Sequence, residues 1–91
     1  MELEKRTDHL LACLTEECGE VSQLVGKCLR FGIYDKHPKT GNIENFKLLE
    51  QEVNEVIAVA KMLKIKTDLD WQERKKLRVE EYILYAEREK I

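Results

Sequence analysis

Four glutamates are spaced to act together. Glu17 and Glu20 lie three apart, as do Glu52 and Glu55, and a three-residue step returns a side chain to the same side of an α-helix. A pair of glutamates on a helix ordinarily marks a solvated face. Here each pair interrupts a stripe that is otherwise mostly apolar. One stripe runs Leu10, Cys13, Glu17, Glu20, Leu24, Lys27, and the other Asn45, Leu48, Glu52, Glu55, Val59, Met62. The carboxylates are therefore expected to point towards the packed side. Four of them gathered without compensation raise one another's pKa, so something positive belongs among them. Lys27 and Arg30 do not easily neutralise four acids. A hard divalent cation does so directly: Mg²⁺, with Mn²⁺ as the alternative, takes oxygen ligands in octahedral geometry. The chain has no ExxH, and neither His9 nor His37 is placed to coordinate, which argues against a di-iron carboxylate bundle. Mg²⁺ on carboxylates with open positions is a usual partner of substrate phosphates.

Lys27, Arg30, Lys36, His37 and Lys39 cluster just beyond the first acid pair. Singly, such residues are loop charges or cations complementing a helix C-terminus. As a set beside a metal they are candidates to bind a polyphosphate. Phe31 and Tyr34 are candidates to stack on a base, although Phe31 equally suits a core plug closing the hairpin. Gly19 and Gly26 each cost a helix about 1 kcal/mol relative to Ala; close helix approach and room for a ligand both explain them.

The elements that must position these residues are helices. Pro38, Gly32 and Gly41 mark the one clear break, between Phe31 and Asn42. The pattern predicts a first helix capped by Thr7 and running to about Arg30. A second, capped by Asn42, runs to about Lys64, and a third opens on a capping box of Asp70 with Glu73. No stretch alternates as a strand does, so the fold is expected to be all-α. Leu11, Leu14, Cys18, Val21, Val25 and Cys28 recur at steps of three and four, as do Phe46, Leu49, Val53, Val56, Ala60 and Leu63. These seams suit two helices packing side by side as an antiparallel hairpin. In the third helix Leu77, Leu84 and Ile91 fall seven apart, with Val79, Tyr82, Ile83 and Ala86 on a neighbouring strip.

Ninety-one residues suit a single domain, 1–91, with a thin core. Apolar faces left over on so short a chain predict that a homo-oligomer, dimer or tetramer, completes a four-helix-type bundle. Sixteen basic against eighteen acidic residues argue against a nucleic-acid partner. No apolar run approaches a membrane span, and the charged N-terminus lacks a signal-like apolar core. The odd count of cysteines (Cys13, Cys18 and Cys28), with no CxxC, reads as small buried hydrophobes in a reducing compartment, and so as a cytoplasmic protein.

The stretch Leu14-Thr15-Glu16-Glu17-Cys18-Gly19-Glu20-Val21, followed by Lys27-Cys28-Leu29-Arg30-Phe31-Gly32, resembles the first half of the MazG-like all-α nucleoside triphosphate pyrophosphohydrolases. Leu49-Glu50-Gln51-Glu52-Val53-Asn54-Glu55-Val56 looks like the second half, where the family carries ExxD. The likeness covers about the first two-thirds of the chain. It departs from the family at Glu55, one methylene longer than Asp, and in the 31 residues between Glu20 and Glu52. The resemblance implies Mg²⁺-dependent hydrolysis of a nucleoside triphosphate, expected to be a deoxynucleotide, to the monophosphate and pyrophosphate. It makes Glu17, Glu20, Glu52 and Glu55 the metal ligands, with one of them or Glu16 orienting the attacking water. It sets Lys27 and Arg30 on the β- and γ-phosphates. Two other readings stand beside it: a helical interaction module that kept the fold and lost turnover, and a structural oligomer whose acids and bases pair across helices.

Overall fold

The computed structural model describes residues 1–89. Three helices follow one another: α1 (Leu3–Phe31), α2 (Asn45–Met62) and α3 (Leu69–Glu89), with a single 3₁₀ turn (Pro38–Thr40) between the first two. Among the described residues there is no strand, only an isolated antiparallel bridge between Lys36 and Glu44. Among the described residues no helix is long and apolar enough to cross a membrane.

The helices form where the apolar period lies, but their ends differ from expectation. Thr7 sits inside α1, its hydroxyl donating to Leu3 O at 3.0 Å; a helical threonine can satisfy itself on the preceding turn instead of capping. Asn42 does not cap α2. It adopts a left-handed conformation (φ 60°), and its N–H donates to His37 O, so the loop claims it. Asp68, not Asp70, caps α3, its Oδ1 accepting from Trp71 N at 3.1 Å. Helix α2 stops at Met62 through a Schellman closure, with Ile65 N on Ala60 O and Lys64 N on Lys61 O. Lys64 takes the left-handed position (φ 60°) that glycine usually fills, which is why no glycine signals this end.

α1 and α2 pack antiparallel. Phe46 N donates to Ile33 O and Asn45 N to Asp35 O at the loop end, while Glu17 and Glu20 meet Glu52 and Glu55 further along. The contact face lies between the expected seam and the acid-bearing stripe. Leu14, Val21 and Cys28 of the seam are half-buried, together with Cys13, Glu17 and Leu24 of the stripe, and Leu10 is buried. Leu11, Cys18, Val25, Phe46 and Val53, also expected in the seam, are exposed. A hairpin of two helices has one contact line, and that line cannot cover both stripes.

α3 packs against neither α1 nor α2, and none of its residues is buried. Ile91 of the expected seven-residue spacing lies outside the described residues. The chain exposes 8130 Å², against about 5,500 Å² for a compact chain of its mass. Its radius of gyration is 17.0 Å, against about 12 Å for a compact chain of this length.

Candidate functional site

Helix geometry fixes the acid cluster. Residues three apart on α1 and on α2 project from one side of each helix, and the antiparallel packing sets both pairs at the same level. One carboxylate oxygen from each of Glu17, Glu20, Glu52 and Glu55 lies within 4.8 Å of the other three. Glu17 and Glu52 are half-buried between the helices, and Glu20 and Glu55 face outward. Glu16 is exposed and stands outside the group, because one residue turns a helix by about 100°.

Among the described residues no positive side chain pairs with these acids. The ion pairs among the described residues are Lys47–Glu50 at 3.4 Å and Lys76–Glu73 at 3.1 Å, both on the surface and away from the cluster. Among the described residues no hydroxyl, amide or ammonium reaches Glu17 Oε2 or Glu52 Oε2, and both atoms are shut off from water. The protons respond. Glu52 is pushed up to about 9, chiefly by sharing a proton with Glu20, then with Glu55, then by loss of water and by Glu17. For Glu17 the largest single influence, a hydrogen bond with Glu52, lowers the pKa. Burial, Glu55 and the charge of Glu20 together outweigh it, and the net shift is upward.

This donor set is all oxygen, with no nitrogen or sulfur ligand, and suits a hard divalent cation. A cation there would satisfy the two orphaned oxygens and remove the repulsion that drives the protons on. Cation pairing across helices, the structural-oligomer alternative, finds no partner for these four acids among the described residues.

The basic and aromatic residues divide. Lys27, Phe31 and Lys39 line a cavity of about 360 Å³ at the loop end of the hairpin, together with Asp35, His37, Thr40 and Asn45. Lys27 and Arg30 also line an open groove on α1 beside Gln23 and Gly26. Arg30 lies over the Phe31 ring, 5.4 Å from its centroid. Phe31 is 62% exposed and is no core plug. Tyr34 is exposed, Lys36 pairs through its backbone with Glu44, and neither lines these cavities.

Sequence reasoning passed over Asn45. Its side chain is buried and donates to Gly32 O at 3.1 Å, tying the loop to the start of α2. The signal was available: a polar residue heading an apolar stripe. Comparison of the chain with protein-family profiles, with curated proteins and with solved structures gives no match.

Proposed function

We propose that the protein is a Mg²⁺-dependent nucleoside triphosphate pyrophosphohydrolase of the MazG-like kind, releasing pyrophosphate and a nucleoside monophosphate. The observation that carries this reading is the four-glutamate cluster with two orphaned, water-excluded oxygens and no cation partner. Glu17, Glu20, Glu52 and Glu55 would hold the ion, with Mn²⁺ as its substitute. Bound there, the ion would polarise the α-phosphate and lower the pKa of a water. The chain's own residues supply the rest. One of these glutamates, Glu20 or Glu55 on the exposed side, or Glu16, would orient the attacking water and take up its proton. Lys27 and Arg30 lie two to three turns along α1, where they would offset charge on the outgoing phosphates.

The active form would be a homo-oligomer, dimer or tetramer. The surface excess over a compact chain, roughly 2,600 Å² per protomer, matches an obligate interface in size, and α3 supplies much of the uncovered apolar area. The free cysteines, Cys13, Cys18 and Cys28, fit a reducing cytoplasm. The unpacked α3 also favours a second reading, a helical interaction module without turnover. Pyrophosphate release from a panel of ribo- and deoxynucleoside triphosphates, with and without Mg²⁺, decides between them. The enzyme reading expects release that needs Mg²⁺ and disappears with EDTA; no release from any triphosphate overturns it.

A further inference from the structure

We propose that the loop-end cavity reads the base of the nucleotide, and that His37 is the residue selecting an oxo base (guanine, uracil or thymine) over an amino base (adenine or cytosine). The inference rests on the pyrophosphohydrolase reading for where the α-phosphate sits. Lys27 lies seven residues beyond Glu20, and Asn45 seven before Glu52, so both helices put the cavity about 10 Å along the hairpin from the carboxylates. That is the reach of a nucleoside. The cavity's contents agree: Phe31 offers a ring face, and Asp35 offers a carboxylate that would repel a polyphosphate.

His37 is held in one orientation. Its backbone carbonyl accepts from Thr40 N, Asn42 N and the Thr40 hydroxyl, and Pro38 after it confines it to the extended backbone observed (φ −124°, ψ 135°). Its Nδ1 accepts from Lys39 N at 3.0 Å. In the neutral ring the proton is therefore on Nε2, which is left as a donor. Lys39 is a donor only and Asp35 is an acceptor, while Lys27, shared with the groove on α1, is left to the phosphates. An oxo base presents a carbonyl beside an imino N–H, the complement of a donor wall with one carboxylate. An amino base held in the same register sets its exocyclic donor against those donors and its ring-nitrogen acceptor against Asp35, and a site built to pair a polar group rejects the analogue that cannot pair.

Two measurements test this. The first is titration of GMP, UMP, AMP and CMP into the intact protein with Mg²⁺, which needs no turnover. The second is kcat/KM for the matching triphosphates. The expected result is at least about tenfold tighter binding of GMP and UMP in the wild type. His37→Ala should erase that preference through KM, and His37→Gln, which retains a donor near Nε2, should restore part of it. Inhibition by inorganic tripolyphosphate should be unchanged in His37→Ala. Equal binding of oxo and amino bases, or a preference untouched by His37→Ala, overturns the inference even where triphosphates are hydrolysed. Loss of tripolyphosphate inhibition in His37→Ala also overturns it, by assigning the cavity to phosphate. Base-selective, His37-dependent binding without any hydrolysis supports the cavity and sinks the pyrophosphohydrolase reading alone.

Discussion

Glu52 holds a proton that an isolated glutamate would have lost, and this gives the acid cluster a testable pH signature. A carboxyl raised from 4.5 to about 9 in the fold binds its proton more tightly folded than unfolded. Its contribution to stability is complete below pH 4.5 and is lost as the pH climbs through about 9. Thermal melts without divalent cation should therefore fall steadily from pH 5 to pH 9. Glu52→Gln, which keeps the shape and a donor, should flatten that fall; a pH-independent wild-type melt would show that the four side chains do not share protons. Ligands must shed protons to bind metal, so Mg²⁺ should stabilise more as the pH rises. Glu20→Gln separates chemistry from folding. It removes one charge from the cluster, so the cation-free fold should hold or gain stability, while pyrophosphate release drops at least about a hundredfold, or about 2.7 kcal/mol in barrier. Unchanged release would remove Glu20 from the site. The pairing of these acids was legible because period and composition conflict: glutamates stand where a stripe calls for apolar residues. The orphaned oxygens of Glu17 and Glu52 were not legible, because they depend on which of two stripes the helices use for contact.

At the scale of elements, local chemistry competes with pattern at every helix end. The sequence pattern points to Asp70 as the cap of α3, and the backbone uses Asp68 instead, whose carboxylate accepts from Trp71 N. Asp68→Ala should cost about 1 kcal/mol, read as lower helicity and an earlier melt, while Asp70→Ala should cost only the modest loss of an acid in the first turn. Equal effects would leave the cap unassigned. The existence of three helices followed from apolar period and one Pro-Gly break. The 3₁₀ turn and its His37 anchor did not, since they arise from hydrogen bonds between residues such as His37 and Thr40 whose types also suit an open loop. The seams illustrate a different limit. Leu11, Val25 and Val53 obey the same spacing as Leu14, Val21 and Val56, yet only the second set is half-buried. Spacing identifies an apolar face, and the partner geometry decides which side of it is used. Gly19 and Gly26 add to this: a Cβ at either would meet nothing within 4 Å, so close approach within the hairpin does not explain them.

For the whole molecule, the decisive quantity is apolar surface with nothing to cover it. Trp71 is 69% exposed, and Leu77 and Leu84 are each 57% exposed, on a helix that packs against neither α1 nor α2. An isolated helix draws little stability from propensity alone and depends on packing its apolar side. The same holds for the exposed half of each hairpin seam. A second copy supplies both surfaces at once, and an obligate assembly has a stability tied to protomer concentration. Sedimentation at micromolar concentration should give a dimer or tetramer, and the melting temperature should rise with concentration. Leu77→Glu combined with Leu84→Glu places two charges in the α3 stripe and should yield a monomer that melts earlier, with no concentration dependence. The hairpin alone carries Glu17, Glu20, Glu52 and Glu55, so this monomer should still be stabilised by Mg²⁺ where its helices remain paired. Lys76→Ala, which removes only the surface pair with Glu73, should change the stability by less than about 0.5 kcal/mol and leave the assembly intact. A wild-type chain that sediments as a monomer and melts cooperatively at one temperature across concentrations would overturn the assembly, because α3 would then be stable with its apolar side in water.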